Sequence, residues 1–119
     1  MGSLGRQRDL VGGWAPDRGD IVWIDFSPQV GREQAGHRPA VVLSPIAYNQ
    51  LIGLAVCVPL TTRIKGYPFE VPIDGEPRSV ALADHMKSLD WRNRGARPKS
   101  RVTAEELAAI VAVIGELIT

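Results

Sequence analysis

Before residue 103 every apolar stretch of this chain is short and closed by turn chemistry, and that rhythm restricts the fold more than any other feature. Gly19-Asp20 opens the first stretch, residues 21–26, rich in Ile, Val, Trp and Phe. Arg38-Pro39 opens the next, residues 40–43, whose unbroken apolar character predicts burial on both faces. Ser44-Pro45 stops it, and residues 46–51 read as one helical turn. Residues 54–61 form the third strand, with Pro59 inside it marking an edge, a bulge or an early end. Residues 69–73 and 80–87 read as strands joined through Asp74-Gly75, a hairpin signal. Gly95-Ala96 precedes a last strand over 97–102, and polar loops occupy 27–37 and 62–68. Six short strands at this spacing predict a small, strongly bent antiparallel sheet or barrel.

The C-terminal segment has a different period. Thr103-Ala104-Glu105-Glu106 places a hydroxyl and a carboxylate three residues apart, the capping box that satisfies orphan amides at a helix start. Leu107, Ile110, Val111, Ile114, Leu117 and Ile118 then fall on one helical face, for packing on the sheet or across a dimer. The chain therefore reads as mostly β with a C-terminal α-helix. Residues 1–18, with four glycines and scattered charges, read as a flexible leader, and 19–119 as one domain.

Composition excludes several classes. At 119 residues there is room for one core. The longest apolar runs, 54–60 and 107–114, fall far short of a bilayer span, so no membrane partner is expected. The opening residues lack the apolar core of a secretory signal, and the single cysteine, Cys57, suits a reduced cytoplasm as a buried packing residue. Two histidines, one cysteine and no clustered acidic ligands make a metal cofactor unexpected. The net charge is only +1, but Lys87, Arg92, Arg94, Arg97, Lys99 and Arg101 stand against Asp90 alone, a local +5. Such a stripe is either a polyanion groove or a solvated face.

Two clusters remain once the core is set aside. Gly31-Arg32-Glu33-Gln34-Ala35-Gly36-His37-Arg38-Pro39 lands an arginine at a strand entrance, and Pro59-Leu60-Thr61-Thr62 places two hydroxyls where a strand ends. Locally each has an ordinary reading, as a strand start with an exposed charge and as a pair of β-formers. Their order along the chain adds more. Gly19-Asp20-Ile21-Val22-Trp23-Ile24-Asp25-Phe26, the loop ending Gly36-His37-Arg38-Pro39-Ala40-Val41-Val42-Leu43-Ser44, and Val58-Pro59-Leu60-Thr61-Thr62 closely resemble the MazF/PemK family of toxin endoribonucleases. So do Lys65-Gly66-Tyr67-Pro68-Phe69-Glu70-Val71, Val80-Ala81-Leu82-Ala83-Asp84-His85-Met86-Lys87-Ser88 and Trp91-Arg92-Asn93-Arg94-Gly95-Ala96. The resemblance runs from about residue 19 to the C-terminus and is nearest to the enteric MazF branch. Residues 74–79 match least.

This resemblance implies a compact SH3-like barrel of the CcdB/PemK kind, paired as a homodimer. It implies sequence-specific cleavage of single-stranded messenger RNA, and a cognate MazE-like antitoxin whose acidic tail occupies the RNA groove. By position, Arg38 and Thr61 match the family's principal catalytic pair, and Glu33 an acidic residue of the loop that covers the substrate. Tyr67, His85 and Lys87 fall where the family lines its RNA groove. Arg94, with Arg92 and Arg97, either tracks phosphates or receives the acidic tail.

The residue types suit that chemistry. RNA supplies its own nucleophile: attack of the 2′-OH on the neighbouring phosphate yields a 2′,3′-cyclic phosphate and a 5′-OH, with no metal-bound water needed. The protein must hold the backbone in line, stabilise added negative charge and move two protons. The planar fork of Arg38 suits charge stabilisation, and a guanidinium holds its own proton too tightly for easy transfer. Thr61 can donate a hydrogen bond to the same phosphate. Glu33 and His37 are candidate proton carriers, His37 having loop orientation as its ordinary role; His85 is a base contact or orienting residue before it is an acid or base. Tyr67 is either a stacking platform for a base or part of a half-buried barrel rim. Trp23 and Trp91 read as core or dimer contacts. The alternatives are a non-catalytic CcdB-like gyrase poison on the same fold and an SH3-like binding module. The first needs a tryptophan at the helix end, where this chain has Gly115-Glu116-Leu117-Ile118-Thr119; the second leaves Arg38 and Thr61 unexplained.

Overall fold

The short apolar runs become seven strands in a computed structural model that describes residues 13–27 and 37–119. In chain order these are β1 (Asp20–Asp25), β2 (His37–Val42), a short helix α1 (Ile46–Ile52), β3 (Leu54–Thr61), β4 (Glu70–Ile73) and β5 (Ser79–Leu82). A 3₁₀ turn (Ala83–His85), β6 (Lys87–Asp90), β7 (Arg97–Arg101) and the C-terminal helix α2 (Ala104–Ile118) follow. All pairings are antiparallel, in the order β4-β5-β3-β2-β1-β7, with β6 also on β3. The sheet curls into a half-barrel, in line with the strongly bent antiparallel sheet or barrel expected, with the C-terminal helix packed against it. No helix among the described residues is long and apolar enough to cross a membrane.

Alternation sends the side chains of β1–β3 into two cores. Val22, Ile24, Phe26, Ala40, Val42, Ala55 and Cys57 face one cluster with Leu89 and Trp91, while Ile21, Val41, Val58 and Leu60 face the other with Val71, Ile73 and Ile110. Of the unbroken apolar run 40–43, Ala40, Val41 and Val42 are fully buried, while Leu43, just past the end of β2, is half-buried.

Four details depart from expectation. The strand read over 80–87 is two strands, because the 3₁₀ turn moves the chain from the β3 end paired at Leu60 and Thr61 to the end paired at Leu54–Cys57. Pro59 lies in the most heavily paired strand rather than at an edge. Val56 directs both its N–H and its C=O toward β2 and Ser44. By alternation, residue 59 faces the other way, where β3 changes partner between β6 and β5, so no ladder donor is needed there.

The helical stripe also divides. Thr103 and Glu106 form the reciprocal capping box, and Ile110 is buried with Val113 and Ile114 packed on the second cluster. Val111, Leu117 and Ile118 stay exposed on the single chain. Finally, the described end of the expected leader is packed. Trp14 meets Trp91 edge-on at 6.2 Å, Ala15 is buried, and the Pro16 carbonyl accepts from the Asn49 amide at 2.8 Å. Asn49 also donates to the Ser44 carbonyl at 3.0 Å and accepts from the Ser44 hydroxyl at 2.6 Å, while its own carbonyl accepts from Trp91 Nε1 at 2.9 Å. One buried asparagine, through its side-chain amide and its backbone carbonyl, thus ties residue 16, the turn after β2 and the β6–β7 turn together.

Candidate functional site

The β2–β3 ladder pairs Ala40 with Pro59, Val41 with Val58 and Val42 with Cys57. Extending that register outward sets Arg38 opposite Thr61, two cross-strand neighbours whose side chains are close enough to share a ligand. Arg38 is exposed and Thr61 half-buried. Both line a depression of about 210 Å³ with Arg63, Lys65, Tyr67, Phe69, Glu70, Leu82 and His85. Both also line an adjoining hollow of about 220 Å³ with Pro39, Leu60, Thr62 and Ser79. Two residues 23 positions apart in sequence are thereby brought to one surface. The Arg63 N–H donates to Thr61 Oγ1 at 3.1 Å, which occupies an acceptor site and leaves the hydroxyl hydrogen to be donated elsewhere.

One wall is the loop over residues 62–68. Glu70, at the start of β4, reaches back to it: Oε1 accepts the Gly66 N–H at 2.8 Å and the Lys65 N–H at 3.2 Å, and Oε2 accepts the Lys65 N–H at 3.2 Å. The Glu70 N–H donates to the Tyr67 carbonyl at 3.1 Å. Tyr67, Phe69 and His85 form an aromatic ladder, with ring centres 5.2 Å apart at 30° for the first pair and 6.4 Å apart at 21° for the second. His85 Nε2 stands 3.6 Å from Asp84 Oδ1, an ion-pair distance when the imidazole is protonated. Three guanidinium or ammonium groups, a histidine, a hydroxyl and flat rings surround a space open to solvent. Such a surface can bind phosphate and stack bases.

The structure therefore gathers Arg38, Thr61, Tyr67 and His85. It does not gather every expected residue. Lys87 lines neither hollow; its ammonium sits 5.5 Å over the Phe26 ring. Arg94 Nη1 donates to the Asp25 carbonyl at 3.0 Å and also to the Ser27 carbonyl, while the Asp25 N–H donates to the Arg94 carbonyl at 3.0 Å. That guanidinium clamps the end of β1 through Nη1. His37 pairs with Asp25 across β1–β2 and rests on Gly95, whose φ of +66° and lack of a Cβ make room for the ring. Glu33, with most of the 27–37 loop, lies outside the described residues. Arg101 is bonded to Asp20 and Arg92 stacks 4.4 Å over Trp91, so much of the basic stripe serves the fold.

Phe69 and Glu70 are contributors that residue-by-residue reading passed over. Phe69 looked like the first core residue of a strand, and the only clue to Glu70 was a carboxylate a few residues after a glycine turn.

Other titratable groups take structural roles. The Ser27 N–H holds the Asp25 carboxyl below the usual carboxylate range against the opposing effect of burial, with help from the Ser27 hydroxyl, Arg94 and His37. Burial pushes the Cys57 thiol up to about 12, which suits packing and not nucleophilic attack. No group of three or more His, Cys, Asp or Glu among the described residues is arranged to hold a metal ion. A separate, mainly apolar groove of about 540 Å³ lies among Leu43, Pro45, Tyr48, Met86, Val111 and Ile114.

A family model described as PemK-like, MazF-like toxin of type II toxin-antitoxin system matches residues 17–118. The chain is similar to the endoribonuclease toxin MazF of Escherichia coli strain K12, being 56% identical over 110 residues that cover 92% of this chain and 99% of that protein. It is also similar to the crystal structure of MazF from Deinococcus radiodurans, with a TM-score of 0.80 and 48% identity, covering 88% of this chain and 97% of that one. A MazE-MazF complex from the same organism matches with a TM-score of 0.78 and 43% identity, covering 88% and 96%.

Proposed function

The chain belongs to the PemK-like, MazF-like family of type II toxin-antitoxin toxins, and on that premise we propose that it cuts single-stranded messenger RNA at the Arg38–Thr61 depression, by a route that needs no metal ion. It is an endoribonuclease toxin, as its E. coli relative is named. The observation that carries the proposed site is the apposition of Arg38 and Thr61 at the ends of β2 and β3, in a hollow shared with Arg63, Lys65 and His85.

The bond changes follow from the substrate. O2′ attacks phosphorus as it loses its proton, the P–O2′ bond forms, and the P–O5′ bond breaks as O5′ gains a proton. A 2′,3′-cyclic phosphate and a 5′-OH result. Arg38 faces the charge gathering on the non-bridging oxygens, where its two-pronged donor geometry strengthens contact as the transition state forms. Thr61 adds a directional donor, its lone pair being already engaged by the Arg63 N–H. Arg63 and Lys65 hold flanking phosphates. The Tyr67–Phe69–His85 ladder offers faces for splayed bases. Glu33 and His37 remain the proposed proton carriers, with His85 a further one.

The working unit is residues 19–119, with residues 1–18 as a leader in which Trp14 and Pro16 are docked. We assign it to the cytoplasm as a homodimer, supported by the apolar groove and the exposed Val111, Leu117 and Ile118. The existence of a MazE-MazF complex in a relative supports a MazE-like antitoxin as partner; the exposed Arg97 on β7 suits its acidic tail, beside Lys99, whose ammonium lies 5.2 Å over the Trp23 ring.

An RNA oligonucleotide carrying one 2′-deoxyribose at the scissile position tests the chemistry in EDTA. The all-ribose strand should be cut and the substituted strand should bind and survive. Cleavage of the deoxy strand, or a need for added magnesium, would reject the mechanism.

A further inference from the structure

The geometry points to Glu70 as a positioning residue of the ribonuclease site, whose carboxylate holds the 62–68 loop in the shape that presents Arg63, Lys65 and Tyr67 to RNA; this rests on reading the Arg38–Thr61 depression as the place of cleavage. A carboxylate is the wrong charge for a groove that takes a polyanion. Glu70 nevertheless lines the same groove as Arg38. Its charge is directed at the backbone of the 62–68 loop. The two oxygens take the N–H groups of Lys65 and Gly66 in three contacts of 2.8 to 3.2 Å. Bonds from amides to an ionised acceptor are stronger than neutral ones, and they draw the negative charge away from the groove.

The loop has few other ties. Among the described residues, the Ile64 N–H reaches the Thr62 carbonyl at 3.1 Å and the Arg63 N–H reaches Thr61 Oγ1, both at its start. The far half depends on Glu70, whose side chain holds Lys65 and Gly66 while its N–H holds the Tyr67 carbonyl. Gly66, at φ +82°, supplies the backbone turn that aims two successive N–H groups at one carboxylate. Glu70 is in turn fixed on β4, opposite Leu82 of β5. A rigid strand thus sets the positions of two cations and a ring that touch substrate. Released, the loop would still carry those groups, but RNA binding would have to order it at the cost of affinity.

Steady-state cleavage of one RNA oligonucleotide at several salt concentrations tests this, using the unsubstituted chain, Glu70→Ala, Glu70→Gln and Gly66→Val. Oε1 alone reaches both N–H groups, so an amide oxygen in its place keeps the clamp, whereas alanine removes it. A Cβ at Gly66 meets nothing within 4 Å, so a branched side chain added there acts first through the strained φ. Glu70→Ala and Gly66→Val should raise KM about tenfold and flatten the slope of log KM against log salt by roughly 0.7 for each phosphate no longer neutralised. Their kcat should stay within about threefold, the signature of weakened binding with the chemical step intact. Glu70→Gln should stay close to the unsubstituted chain in both constants. Unchanged KM and salt slope in Glu70→Ala would overturn the proposal, and Gly66→Val decides alone if that variant does not fold. Glu70→Gln as impaired as Glu70→Ala would overturn it too, showing that the charge and not the clamp matters. Failure of the unsubstituted chain to cut any RNA would instead sink the ribonuclease reading beneath it.

Discussion

Replacing Arg38 with alanine separates charge stabilisation from mere binding. The side chain is exposed at the open end of β2, so truncation should leave folding stability within about 0.5 kcal/mol. A guanidinium about 4 Å from a phosphate oxygen, at the effective dielectric of about 20 suited to a half-open surface, contributes about 4 kcal/mol. Removal of a single preorganised donor from an oxyanion site costs about 2.7–4 kcal/mol, a range whose upper end meets that figure. At about 1.4 kcal/mol per decade, kcat should fall roughly 100- to 1000-fold. Arg38→Lys keeps a point charge and loses the planar fork, so its loss should be nearer about tenfold, one hydrogen bond to a charged group. Single-turnover cleavage of a fluorescent oligonucleotide under enzyme excess reads the chemical step, with thermal melting of each variant alongside. A well-folded Arg38→Ala within threefold of the original rate, or a defect confined to substrate binding, would refute the assignment.

Asn49→Ala, which strips the buried amide from Pro16 and Ser44, should cost about 2–4 kcal/mol in urea unfolding, because buried polar partners are left unsatisfied. Gly95→Ala should cost about 1–2 kcal/mol from the left-handed φ alone, and more because the new Cβ would lie 2.8 Å from His37 Nε2; His37→Ala in the same chain should restore part of the loss in melting temperature. Asp25 has a folded-state pKa below its unfolded one, so its ionised form stabilises the protein above the ordinary carboxylate range, and that stabilisation is lost as pH falls through the lowered value. Asp25→Asn should therefore melt earlier at neutral pH, with the gap from the unsubstituted chain closing on acidification; a gap that widened in acid would contradict the shift.

Some of this molecule was legible in its order of residues, and the boundary follows a physical line. The capping box at Thr103 and Glu106, the turn at Asp74-Gly75 and the buried run at residues 40–42 all depend on neighbours within a few positions. Propensity and periodicity report such local effects directly. The helix face was half legible: periodicity marked the apolar positions, but only the extent of the sheet decided that Ile110 and Ile114 pack while Leu117 and Ile118 do not.

Long-range partners were beyond reach. Pro59 looked like an edge signal because its missing N–H is a local fact, whereas the change of partner that makes the loss harmless belongs to β5 and β6. The charge of Arg94, read as a partner for phosphates or for an acidic tail, is visible in sequence, whereas the Asp25 and Ser27 carbonyls that its Nη1 reaches are not. The residues by themselves determined a short-stranded β chain with one capped helix and the chemical kinds of side chain near Arg38 and Thr61. Only the folded sheet decided which polar groups face one another, since a hydrogen-bond partner tens of residues away is chosen by strand register and chain closure, and no local preference encodes either.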